Sequence, residues 1–82
     1  MEQEETRKKI KKIFEDIFPG EEFRWDKKQD AFPRWDSLSH MELVARAEED
    51  TGVRFAVEEV MGLNCPEDFV AVISKKFQKN GS

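Results

Sequence analysis

Eighty-two residues, 38% hydrophobic and 39% charged, can build one compact domain and no more. Fourteen basic and eighteen acidic side chains leave a net charge of −4, but residues 36–70 hold nine acids against Arg46 and Arg54 and so stand at −7. Such a surface repels phosphate backbones and suits a basic protein partner, which argues against nucleic acid as the ligand.

No window approaches the roughly 18 consecutive apolar residues of a membrane span, and the N-terminus lacks the apolar core of a signal peptide. Cys65 is the single cysteine, so an intrachain disulfide and a cysteine-based zinc site are excluded. A reducing cytoplasm is the expected location.

From Thr6, the apolar residues Ile10, Ile13, Phe14, Ile17 and Phe18 follow the i, i+3, i+4, i+7, i+8 spacing of one helical face. A helix over about 6–18 is predicted, stopped by Pro19-Gly20. Arg7-Lys8-Lys9 with Lys11 and Lys12 reads as a solvated face of that helix, because glutamates precede it and isoleucines interrupt it.

Residues 19–36 show neither a helical nor a strand period, which makes an unusually long connection. Phe23, Trp25, Phe32 and Trp35 recur through it. So many aromatics do not stay in water, and the loop is expected to fold back over the bundle and supplement its core. A calcium loop between Asp26 and Asp36 is disfavoured by Lys28 and by the absence of a central glycine.

The next helix is bracketed by its own caps. Asp36 accepts hydrogen bonds from first-turn N–H groups, and Gly52 takes the left-handed conformation that closes the last turn, giving a helix over 37–51. At 100° per residue, Leu43, Val44 and Ala47 share one third of the circumference and face the core. Leu38, Met41 and Ala45 fall within roughly 60° of one another on the far side. Glu42 and Glu49 border this second apolar stripe on one edge and Glu48 on the other, the pattern of a docking surface. Arg46 lies within reach of both Glu42 and Glu49 and is expected to offset part of their charge.

Ser37 opens the helix, where free N–H groups and the helix dipole favour an attached negative charge. Ser37 and His40 lie three residues apart, but no G-x-S-x-G elbow is present and His40 points about 60° from Leu43, toward the core, so a serine hydrolase is rejected. Past Gly52, Val53-Arg54-Phe55 reads as an extended link, and residues 56–62 allow one or two helical turns. Pro66 suits a first helical position, and Phe69, Val70, Ile73 and Phe77 mark a last helix over 66–78 before a disordered tail at 79–82. Residues 1–82 thus read as a single all-α domain, a small four-helix bundle of three longer helices and one short one.

Asp36-Ser37-Leu38 at the head of an acidic helix, after a long loop and before a short and then a longer helix, resembles the attachment motif of the acyl carrier protein family. The likeness extends over roughly residues 6–77. It implies an acyl carrier protein-like fold and a phosphopantetheine arm (4′-phosphopantetheine from coenzyme A) attached to Ser37 by a phosphopantetheinyl transferase. In that family the arm's terminal thiol holds acyl intermediates as thioesters for enzymes of fatty-acid, polyketide or related biosynthesis.

The resemblance further implies a non-enzymatic, monomeric carrier whose partners bear basic docking patches. Asp36, Leu38, Met41, Glu42, Ala45, Glu48 and Glu49 match the family's partner-facing positions. Arg34-Trp35 stand before Asp36 where fatty-acid carriers commonly have a glycine, which looks more like a stand-alone specialised type. The cargo stays open between acyl and aminoacyl or peptidyl groups, and an unmodified helical adaptor is the alternative of a different class.

Overall fold

The computed structural model describes the backbone of residues 2–81 and the side chains of residues 4–77. It contains four α-helices: α1 (Glu2–Ile17), α2 (Ser37–Thr51), α3 (Val57–Met61) and α4 (Pro66–Gly81). No strand occurs among the described residues, and the fold is a small all-helical bundle, consistent with the architecture the resemblance implies. Helix α1 begins at Glu2, about one turn before the start expected at Thr6 and about two turns before Ile10, the first apolar residue of its stripe. The tail expected at 79–82 falls on the last turn of α4, whose side chains lie outside the described residues, and on Ser82, which is likewise outside them.

Helix α1 packs against both α2 and α4. Its stripe supplies Ile10, Ile13, Phe14 and Phe18, each no more than 2% exposed; α2 adds Leu43, Val44 and Ala47, and α4 adds Phe69, Val70 and Ile73. Phe14 stands at the centre. Five aromatic rings lie within 6.0 Å of its own, those of Phe18, Phe23, Phe32, Trp35 and Phe69, in the tilted and edge-on arrangements that ring quadrupoles favour.

Three of those rings, Phe23, Phe32 and Trp35, come from the long connection between α1 and α2. Gly20, at φ 83°, turns the chain out of α1 in a conformation costly for any residue with a Cβ. The chain then crosses the bundle, with a single 3₁₀ turn at Gln29–Ala31 that the sequence does not announce. Phe32 and Trp35 are buried at 3% and 5% exposure, while Phe23 and Trp25 pack half-buried against the core. The aromatic loop is therefore core as well as lid.

The loop is also tied to the far end of the bundle. Gln29 N–H donates to the Asn64 carbonyl at 2.7 Å, and Glu67 N–H to the Trp25 carbonyl at 3.0 Å. Arg7 completes the attachment: its guanidinium lies 4.9 Å from the Trp25 ring and grips Glu67 through two bonds of 2.8 and 2.9 Å. The Glu67 carboxylate raises the Arg7 pKa above its already high ordinary value. A fork of this geometry fixes orientation as well as distance.

Candidate functional site

The hydrogen bonds that shape the turn bearing Ser37 come from residues within three positions of it. Asp36 is the N-cap of α2 in extended backbone geometry, and its carboxylate accepts from Ser39 N–H at 2.9 Å. That bond holds the Asp36 carboxyl below the usual carboxylate range, so the cap is ionised at neutral pH. Ser39 Oγ–H donates to the Arg34 carbonyl at 3.0 Å, closing the turn that enters the helix. At the other end Gly52, at φ 78°, caps the last turn with its N–H on the Glu48 carbonyl. Ser37 is left exposed in the first turn.

The two faces of α2 separate as the 100° spacing requires. Leu43, Val44 and Ala47 are buried, whereas Leu38 is 80% and Met41 54% exposed and Ala45 faces solvent beside them. Glu42 and Glu49 are exposed along the stripe, and no ion pair among the described residues engages them. Glu48 is held differently. Half-buried, it accepts from Phe55 N–H at 2.8 Å and fixes the link that follows α2. Arg46 does not offset the charge of Glu42 or Glu49; it turns across to α1 and pairs with Asp16 at 3.1 Å. A partner on a neighbouring helix has won over the i±4 neighbours on its own.

His40 does not meet the Ser37 hydroxyl. Its Nδ1 accepts from the Trp35 indole N–H at 3.0 Å, and its Nε2 lies 2.7 Å from the Val60 carbonyl. An indole nitrogen only donates, so Nδ1 is the acceptor and Nε2 carries the proton given to Val60. One imidazole thereby joins the loop, α2 and α3.

Helix α3 contributes residues that sequence periodicity did not single out. Val57 and Met61, four apart on five residues of helix, are 73% and 77% exposed and extend the apolar surface beyond Leu38 and Met41. Ala56 has no capping oxygen, so the Glu59 carboxylate reaches back to Ala56 N–H at 2.7 Å. It also pairs with Lys76 of α4 at 2.9 Å. Ala56 N–H first, and then the Lys76 ammonium, hold the Glu59 carboxyl below its ordinary range. A groove of about 340 Å³ runs beside Ser37, lined by Gln29, His40, Met41, Val60 and Met61.

The small helical bundle thus displays a capped first-turn serine beside an exposed apolar ridge. Residues 35–73, all of α2 and α3 and the first half of α4, match the family described as phosphopantetheine attachment site. The match supports a carrier of the phosphopantetheine-binding family, whose domains are non-catalytic and hold 4′-phosphopantetheine covalently. No curated protein and no solved structure matches it. Carriers of this family work with phosphopantetheinyl transferases and with partner enzymes. No described helix is long and apolar enough to cross a membrane.

Proposed function

We propose that Ser37 is the attachment residue and that the protein carries acyl groups for biosynthetic enzymes of the fatty-acid, polyketide or a related class. The observation that carries this reading is the exposed Ser37 hydroxyl in the first turn of α2, inside the matched segment. The residues fit the group. First-turn N–H groups and the positive end of the helix dipole favour a phosphodiester there, and Asp36 sets the turn without covering Ser37. Once bound, the arm supplies a terminal thiol on which cargo is held as a thioester.

Leu38, Met41 and Ala45 give a partner an apolar ridge, and Glu42 and Glu49 give its basic residues something to find from a distance. Asp36 and Glu48 add to the field while serving as structural bonds. Helix α2 carries four acids, Glu42, Glu48, Glu49 and Asp50, against Arg46 alone, whereas α1 balances five acids with five bases. A single copy suffices for this role, and the cytoplasm, where coenzyme A is available to a transferase, is the compartment proposed. An aminoacyl or peptidyl cargo would use the same serine and the same ridge.

The test is to incubate the protein with coenzyme A and a broad-specificity phosphopantetheinyl transferase and to weigh it. One phosphopantetheine is expected on the wild type and none on Ser37→Ala. An unchanged wild-type mass would favour the unmodified adaptor.

A further inference from the structure

The depression nearest Ser37 is the groove bounded by Met41 on α2 and by Val60 and Met61 on α3, with His40 at its base. An apolar chain entering the bundle from Ser37 through this groove meets His40 and Val60, between α2 and α3. That passage is bonded shut on both sides. Trp35 Nε1–H donates to His40 Nδ1 at 3.0 Å, and His40 Nε2–H donates to the Val60 carbonyl at 2.7 Å, so loop, α2 and α3 are joined through one side chain.

Inward of the latch the Trp35 ring is packed among other rings, while its outer edge borders an open depression of about 500 Å³ walled by the polar Lys28, Gln29, Asp30 and Asn64. The Trp35 ring, 5% exposed, lies 5.3 Å from Phe14, 5.4 Å from Phe32 and 6.3 Å from Phe69. Interiors packed in this way admit a new chain only by displacing rings from their places. Nor is α3 free to swing outward. Glu59 is bonded to Lys76 of α4, and Glu48 of α2 holds Phe55 just ahead of α3. Ala47, small as it is, is fully buried and open to no surface groove.

We propose that the Trp35–His40–Val60 latch closes the cleft between α2 and α3, so that this carrier holds its cargo outside the bundle and is suited to short or polar acyl groups. The proposal rests on Ser37 as the attachment point. Trp35 and His40 are then positioning residues that set cargo class: they never touch the reacting thiol, but they decide whether a long alkyl chain finds shelter. The groove above the latch, walled by Gln29 and His40 as well as by two methionines, gives a short acyl group a partly polar resting place.

The experiment loads Ser37 with acetyl, hexanoyl and dodecanoyl arms from the matching coenzyme A thioesters, weighs each product, and measures its Tm and the hydrogen exchange of α3. In wild type, Tm and exchange over Val57–Met61 should not change with chain length. Trp35→Phe keeps a ring but loses the indole donor, and His40→Ala removes the bridge; in both, Tm should rise and α3 exchange should slow as the chain lengthens. A wild-type Tm that climbs with chain length overturns the proposal, and variants as flat as wild type overturn the latch as its cause. Failure to gain mass would instead refute Ser37. In that event, titration of the unmodified protein with octanoate, followed by tryptophan emission, still decides: no change in wild type and a saturable change in His40→Ala, which keeps Trp35 as reporter, support the latch, and the reverse contradicts it.

Discussion

Replacing Phe14 with leucine tests whether the ring cluster is what holds the carrier rigid. Phe14 is 2% exposed and sits among five aromatic neighbours at centroid distances of 5.3 to 6.0 Å. Full truncation of a buried Phe to Ala costs about 3–5 kcal/mol. A domain of this size has only about 4–12 kcal/mol in total, at roughly 0.05–0.15 kcal/mol per residue. Truncation therefore risks losing the fold, and leucine is the better probe. It keeps most of the apolar volume but forfeits ring pairs worth about 0.5–1.5 kcal/mol each, which share one ring and do not add in full. A loss of about 2 kcal/mol is expected. Urea unfolding followed by tryptophan emission should show the midpoint fall by about 2 M, given a slope near 1 kcal/mol/M for a small domain. A fall of less than about 0.5 M would refute the placing of Phe14 at the centre of the core.

Leu38→Gln and Met41→Gln should each change stability by no more than about 0.5 kcal/mol, because both side chains face solvent, while slowing transfer of the arm by a phosphopantetheinyl transferase. Stability losses of core size, or unaltered transfer rates, would remove the ridge from the account. Glu42→Lys with Glu49→Lys should lower the transfer rate at low salt and flatten its salt dependence; a rate unmoved at low ionic strength would contradict steering by this face. Asp36 and Glu59 have carboxyls held below their ordinary values of 3.8 and 4.5, so each binds fewer protons folded than unfolded. Their contribution to stability is complete above about pH 5 and is lost as the pH falls through the folded values. Thermal melts between pH 6 and 3 should show this loss, and Asp36→Asn with Glu59→Gln should flatten it; an equally steep fall in the double variant would contradict the assignment.

Local signals made much of this molecule readable, and its tertiary choices account for the rest. The stripe from Ile10 to Phe18 announced α1, and Asp36 and Gly52 bracketed α2 because capping chemistry acts over one turn. The start of α1 carried no such sign, since Glu2 to Glu5 bear no apolar period. The faces of α2 followed from angular spacing alone, so Leu43 and Leu38 separated correctly into core and surface. Arg46 did not follow its spacing, because Asp16 on α1 offered a partner that no reading of one helix contains. His40 was legible as an inward-facing side chain, but the acceptor at Val60 is a backbone carbonyl twenty residues away, and backbone carbonyls leave no trace in sequence. Val57 and Met61 were missed for a related reason: on five residues of helix, burial is set by what α3 leans on, not by period.

The central claim is that Ser37 is where the arm is joined to the protein. Fragmentation of the transferase-treated protein in a mass spectrometer reads this directly, residue by residue. The added phosphopantetheine should reside on Ser37 and on neither Ser39 nor Ser74. A modification found on another residue, or an unmodified Ser37 after exhaustive treatment, would contradict the account.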